Sequence, residues 1–341
     1  TLGSASTELK LTDANTALSL SGIALETGPG SLTLSGALTM SGNSKLNSSG
    51  GTITLGSGGS ASSGTEISLP DTTLVLQNAL SLTGATLKTK NTTLTTNDKA
   101  LSLSSSSILE VDGTQDLSGI VPDSTSTLTL RLAADATINY STALSVETLD
   151  LANFALTLDD NMAGLSVSQA LTLDAATEQI ITGDTDLSLN GGITVSNGTL
   201  SSTGGALSAS SFNVGTTGTV DIQGGTLTLP AGGTAATGAT FDTSGTVIQL
   251  GGALDVKNTW TSANTNLSIT ANASLSHSSA VPLSLASLQT NGHDFELDSV
   301  TSDLIIQNAF ALSGGETLIT NGADLIFESS ADISTESTLD A

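Results

Sequence analysis

His277 and His293 are the only imidazoles in the chain, so acid–base chemistry near neutral pH would begin with them. His293 stands beside Asp294 in Asn291-Gly292-His293-Asp294, an adjacency in which a carboxylate could orient a general base. Nucleophilic catalysis would also need a positioned hydroxyl and an oxyanion hole. Among so many serines none is distinguished by its neighbours. The plainer reading of His293 is a corner residue pointing to water. Carboxylate pairs offer a second chemistry, the candidates being Asp159/Asp160, Asp184/Asp186 and Glu296/Asp298. Acids two apart share one face of an extended strand, and paired acids at a suitable separation cleave glycosidic bonds. The substrate side argues against that chemistry. An acidic polysaccharide calls for Arg or Lys, yet residues 101–341 hold only Arg131 and Lys257. Neutral sugars stack on aromatic rings, and apart from Tyr140 and Trp260 the chain has only a few Phe. The expectation is that the protein is not an enzyme.

Calcium is the one ion the carboxylates would suit. No array of Gly-Gly-x-Gly-x-Asp repeats and no twelve-residue loop signature is present, so dispersed acids read first as a solvated face. No cofactor is expected, and no Gly-x-x-x-x-Gly-Lys phosphate loop occurs. With no Cys, disulfides and thiolate metal sites are excluded, and the redox compartment stays open.

The 341 residues are 37% hydrophobic, 11% charged and 2% aromatic, with 36 Gly and a net charge of −25. Ordinary domains carry about 25% charged residues, so a conventional globular pair fits poorly. Disorder fits no better, because the mean hydropathy is +0.19 and Leu recurs from end to end. Charge is uneven: residues 1–100 net −1 and the remainder −24. Such a surface repels nucleic acid and anionic membranes. No apolar run approaches the ~18 residues of a membrane span. The sequence starts at Thr1 without a basic-then-apolar leader, which reads as a processed chain or an excerpt.

The elements that must position any site follow from an internal repeat. Ser31-Leu32-Thr33-Leu34 returns as Thr52–Leu55, Thr73–Leu76 and Thr93–Thr96, at steps of 21, 21 and 20 residues. A second series runs Ala17–Leu20, Ala37–Met40, Ala79–Leu82 and Ala100–Leu103, with a degenerate member near Ala61. A third holds Leu46, Ile67, Leu87 and Leu109. Within each segment apolar and polar residues alternate, the period of a strand with one buried face. The nearest helical candidate is Ala175–Ile180. The spacing predicts an all-β, right-handed parallel β-helix (a β-solenoid) with about three short strands per ~20–21-residue turn. Its core would be a narrow aliphatic column, and the coil would extend on the order of 80 Å at the usual strand spacing. Asn-Gly steps such as Asn291-Gly292 and Asn321-Gly322 supply left-handed corners. Residues 1–341 read as one continuous solenoid, with residues 112–141 the least regular part, a loop or a kink.

Residues 149–158 (Leu-Asp-Leu-Ala-Asn-Phe-Ala-Leu-Thr-Leu), 290–297 (Thr-Asn-Gly-His-Asp-Phe-Glu-Leu) and 320–327 (Thr-Asn-Gly-Ala-Asp-Leu-Ile-Phe) carry a family likeness. The chain resembles haemagglutinin-type and autotransporter-passenger β-helices, a resemblance of repeat style across most of its length. It implies a bacterial surface or secreted protein, many of that kind being adhesins, with a host or neighbouring-cell receptor as partner. The role expected is structural: an extracellular rod or fibre segment. Leu9, Leu11, Ile333 and Leu339 lie in terminal strands that look uncapped, so self-association head to tail into a filament is the partner reading. A binding module for glycan or ice is the alternative, resting on an outward array of Thr33, Thr52, Thr54, Thr73, Thr93 and Thr95. Against it stands the general preference of Thr for exposed strand positions. Six Asn-x-Ser/Thr triplets, at Asn47, Asn91, Asn139, Asn197, Asn266 and Asn272, are expected by chance in so Ser/Thr-rich a chain.

Overall fold

A computed structural model describes residues 7–122, 127–257, 260–279, 281–300, 303–312, 314–334 and 337–340. The chain is all-β, its parallel strands stacked as a β-solenoid of about 15 turns with a spacing of ~21 residues. It divides into two compact units, Thr1–Leu165 and Ser166–Ala341.

In the first unit the repeat registers as read from the sequence. Glu8–Leu11, Ser31–Leu34, Thr52–Leu55, Thr73–Leu76 and Thr93–Thr95 form one parallel sheet. Leu18–Ser21, Leu38–Ser41, Gly59–Ala61, Leu80–Thr83, Leu101–Ser104 and Ile120–Pro122 form a second. A third begins Ala24–Gly28, Lys45–Ser48, Glu66–Pro70 and Thr86–Lys90. Leu32, Ile53 and Leu74 stack inward as one buried ladder, and Leu46, Ile67, Leu87 and Leu109 as another. Each fully buried Leu or Ile contributes roughly 1.5–3 kcal/mol. The column therefore supplies the main drive for coiling, and the four-residue strands could not hold their shape without it.

Corners close by two devices. Asp71, Asn91 and Gly113 occupy equivalent corners with φ of 52°, 48° and 72°, and Asn91 Nδ2 donates to Asp71 Oδ1 at 3.0 Å. Short polar side chains tolerate this left-handed backbone best after glycine. Buried hydroxyls satisfy carbonyls left over at other corners. Ser44 donates to the Leu20 carbonyl at 3.2 Å, Ser107 to that of Leu82 at 3.1 Å, and Thr246 to that of Ile222 at 2.7 Å.

Residues 112–141 hold long strands, Ile108–Asp116 and Thr129–Asn139, with the short Ile120–Pro122 between them. The long pair shifts register between Val111 and Gly113, and Thr129–Asn139 carries both Thr148–Asp150 and Ala155–Leu158 on its far side. The corner at Gly113 keeps its left-handed backbone, and strand pairing runs on across it through the register shift. The Ser/Thr tract at 123–126 lies outside the described residues.

In the second unit the three stacks begin at Leu171–Leu173, Gln179–Ile181 and Leu187–Leu189. They end, among the described residues, at Thr338–Asp340, Trp260–Thr261 and the pair Leu325–Phe327 and Ser330–Ile333, both seated on Leu304–Leu312. Ala175–Ile180 contains a turn followed by a strand and no helix. The Glu178 carboxylate accepts the Asp174 and Ala175 N–H groups at 2.7 and 3.2 Å, which caps the turn.

The degenerate turn near Ala61 has a steric explanation. Gly59 pairs with Leu38 and Leu80, and Ala61 with Met40 and Leu82, so the neighbouring Leu and Met side chains occupy the space left by the missing ones. At Gly58, with φ +68°, an added Cβ would lie 2.0 Å from the Ala79 carbonyl oxygen. At Gly22, with a similar φ of +67°, the nearest atom to an added Cβ is 3.5 Å away. Gly22→Ala is expected to lower stability by about 1–2 kcal/mol, the cost of a left-handed alanine. Gly58→Ala should cost distinctly more, because the turns must also move apart. Equal shifts of the two urea midpoints would mean that the spacing between turns sets no limit there.

Candidate functional site

The structure disperses the residues with chemical potential and uses most of them to hold the coil. His277 closes the strand Ala273–His277, where it is buried and stacked in register on Val256. His293 sits half-exposed after the Thr290–His293 turn, which its N–H closes onto the Thr290 carbonyl at 3.0 Å. Its ring makes no hydrogen bond to Asp294. That carboxylate accepts the Thr317 N–H at 2.8 Å and Asn272 Nδ2 at 3.4 Å instead.

The carboxylate pairs behave alike. Asp184 and Asp186 lie on the turn before Leu187–Leu189, not on an extended strand. Asp186 accepts the Ala206 N–H at 2.8 Å, and Asp184 the Thr203 hydroxyl at 3.4 Å. Glu296 and Asp298 do share the outer face of Phe295–Val300. Glu296 accepts Asn321 Nδ2 at 2.9 Å and Asp298 the Ser276 hydroxyl at 3.2 Å. Asp159 caps its own turn through the Asn161 N–H at 2.9 Å and Nδ2 at 2.7 Å, and these bonds hold its carboxyl below the ordinary Asp value. Asp13 is lowered likewise by the Asn15 N–H and the Thr16 hydroxyl. Both caps therefore strengthen their turns above the ordinary carboxylate range and lose that effect as pH falls through the lowered values.

A recurrent tie went unnoticed in the sequence. Asp135, Asp186 and Asp294 each accept the N–H of Ala155, Ala206 or Thr317, one turn ahead at the start of the next strand, at 2.8–2.9 Å. The signal available was an Asp about one repeat before a strand start.

Four cations tie one turn to the next. Lys88 bridges Glu66 and Glu110 at 3.1 and 3.5 Å, Lys45 also reaches Glu66, Lys90 meets Asp112 and Arg131 meets Asp150. Burial pulls the Lys88 ammonium down, but hydrogen bonding and charge from Glu66 and Glu110 outweigh it and raise the group overall. Its contribution is present at neutral pH and is lost only at strongly alkaline pH.

The aromatic groups best suited to sugar stacking point inward. Tyr140 is buried with its hydroxyl on the Ile120 carbonyl at 2.7 Å. Trp260 is buried against Phe241 and donates to the Thr243 hydroxyl at 2.8 Å. Among the described residues, no group of three or more His, Asp or Glu side chains stands close enough together to hold a metal ion. One surface groove, about 370 Å³, is lined in part by Asn272, Ser274, Asp294 and Glu296. A second, about 350 Å³, lies beside the edge strand Thr93–Thr95, over Leu94 and between Thr96 and Asp116.

The Thr array forms two columns, Ser31-Thr52-Thr73-Thr93 and Thr33-Thr54-Val75-Thr95, headed by Glu8 and Lys10. Hydroxyl columns are not confined to that sheet. Ser19, Thr39, Ser60, Ser81 and Ser102 line the next one in register. Leu9 and Leu11 pair with Leu32 and Leu34 in the first sheet, Ile333 with Leu312 and Leu339 with Leu318 in the last turn.

No protein-family model, curated protein or solved structure matches the chain. The architecture itself, a β-solenoid of stacked parallel coils, is therefore what the functional reading has to build on.

The two units differ in how charge is stacked. In the first, cations and acids interleave from turn to turn. In the second, Asp221 lies directly opposite Asp242, and like charges so placed destabilise a sheet by roughly 0.2–1 kcal/mol. Raising salt from roughly 0.01 to 1 M shortens the Debye length from ~30 to ~3 Å. The urea midpoint read by Trp260, the chain's one Trp, should rise over that range, and Asp221→Asn should raise it at low salt alone. A midpoint unmoved by either change would show that this repulsion is already relieved by solvent.

Proposed function

We propose that the chain is a structural segment of an extracellular or cell-surface fibre or adhesin, and that copies associate head to tail through their end coils. The observation that carries the reading is the exposure of three apolar residues in the outermost described strands. Leu9, Ile333 and Leu339 are 36%, 44% and 42% exposed, although their in-register neighbours Leu32, Leu312 and Leu318 are fully buried. Strand edges and an aliphatic cross-section favour a further turn of the same kind. Stacking of that type is heterologous and extends without closing.

Three features support a structural role over a catalytic one. Several acids and cations, among them Asp186, Asp294, Lys88 and Arg131, are engaged in ties between turns, the Tyr and Trp face the core, and polar columns of similar character clothe adjacent sheets. The repeat style resembles haemagglutinin-type and autotransporter-passenger β-helices, which favours a bacterial surface setting and a host or neighbouring-cell receptor. The charge of −25 disfavours nucleic acid and anionic bilayers as partners.

Electron microscopy and analytical ultracentrifugation over a concentration series test the reading. Assembly that grows with concentration, and that Leu9→Glu or Leu339→Glu each abolishes while circular dichroism stays that of a β-sheet protein, is the expected result. Discrete particles at every concentration, or filaments indifferent to both substitutions, would overturn it.

A further inference from the structure

The first unit contains an internal sheet edge that its fold leaves open. The ladder of Leu32, Ile53 and Leu74 continues in register to Leu94. The first three are buried and Leu94 is only half-buried, because Thr93–Thr95 is the last strand of its sheet. The Thr93 N–H bonds back to the Thr72 carbonyl at 3.0 Å. Successive residues of a strand turn their main-chain groups to opposite sides. The N–H and C=O of Leu94 therefore face forward, where no described strand pairs with them.

The next pass of the chain does not fill the place. Thr114, Gln115 and Asp116 pair on their other side with Thr137, Ile138 and Asn139. The buried Gln115 side chain reaches back, its Oε1 accepting the Thr92 N–H at 3.3 Å. Between the two passes lies the groove of about 350 Å³, with Leu94 and Thr96 on one side and Asp116, Ser118 and Gly119 on the other. A side chain at position 119 would crowd it, since an added Cβ there lies 2.6 Å from Thr96 Cγ2. The neighbouring edge is treated differently. Ile120–Pro122 ends the second sheet, and there the Tyr140 hydroxyl occupies the Ile120 carbonyl while Pro122 brings no N–H. Natural sheets blunt their edges in this way, and the edge at Leu94 lacks such a guard among the described residues.

We propose that this groove binds an extended peptide of a partner protein as one further parallel strand, with an aliphatic residue over Leu94, hydroxyl residues over Thr93 and Thr95, and a basic residue toward Asp116. Strand addition of this kind draws affinity from main-chain bonds and specificity from alternate side chains. The sheet itself sets the alternation: its inward ladder is aliphatic, and its outward columns are Ser31-Thr52-Thr73-Thr93 and Thr33-Thr54-Val75-Thr95. The charge follows from Asp116, the one charged residue lining the groove. Its carboxylate accepts the Ser118 N–H at 3.0 Å, a neutral partner that leaves the negative charge in place. In parallel register the Leu94 N–H donates to the residue before the peptide's aliphatic one, and the Leu94 carbonyl accepts from the residue after it.

Fluorescence anisotropy of a labelled Ser-Thr-Leu-Thr-Lys peptide, titrated with the full chain, tests the site. Saturable binding is expected. N-methylation of the threonine after the leucine removes the donor to the Leu94 carbonyl and should weaken binding about tenfold. N-methylation of the leucine, whose N–H points away from Leu94, should weaken it far less. Replacing the peptide's lysine by glutamate should weaken binding to the wild type and matter less for Asp116→Asn, which keeps an acceptor for the Ser118 N–H. Leu94→Pro removes the forward N–H without breaking a bond inside the sheet, and should abolish binding with the β-sheet circular dichroism retained. If that variant does not fold, the two methylated peptides decide alone. Absence of saturable binding, or equal effects of the two methylations, would overturn the site. Indifference to the lysine–glutamate exchange would overturn the basic partner. Each of these results leaves head-to-tail association standing, because Leu9, Ile333 and Leu339 take no part in the groove.

Discussion

The structure depends on one constraint: each side chain has the residue one turn earlier and one turn later as its nearest neighbours, at the spacing of hydrogen-bonded strands, about 4.8 Å. Whatever occupies a position must tolerate a near-copy of itself on both sides. Leu over Ile over Leu satisfies this inside, because aliphatic side chains of similar volume interdigitate without a polar cost. It also explains why Tyr140, Trp260 and the Phe side chains are few and mostly buried. A large ring in one turn needs an accommodating residue in the next, as Phe241 finds in Trp260.

The same rule governs the outside, where it acts on charge. A cation in one turn is best followed by an acid in the next, and the line from Lys88 through Glu110 and Arg131 to Asp150 follows that order in register. Where acids follow acids, as at Asp221 and Asp242, each carboxylate takes local donors: Gln223 for one, Ser244 for the other. Neutral hydroxyls avoid the problem, since Ser and Thr can stack on themselves without repulsion. Their abundance on exposed strand positions is thus a consequence of the repeat before it is a sign of any ligand. Asp186 and Asp294 are drawn into these contacts between turns and serve as ties.

In the outermost described strands Leu9, Ile333 and Leu339 are exposed, whereas Leu20 and Thr27 are buried.

The sequence by itself determined the fold class, the period, the corner residues and the inward ladders. All four depend on residues close along the chain or on a spacing that repeats, so they can be counted directly. Leu32 with Ile53 and Leu74 is such a case, as is the alternation that marks Ser31–Leu34 as a strand. The tertiary structure alone decided what the dispersed polar groups do. It placed Asp184 and Asp186 on a turn, turned Trp260 and Tyr140 inward, shifted the register between Val111 and Gly113 and divided the chain at Leu165. Each of these depends on small drifts of the period that accumulate from turn to turn. A drift of one residue reverses which face a side chain occupies, and only the paired strands record where it happened.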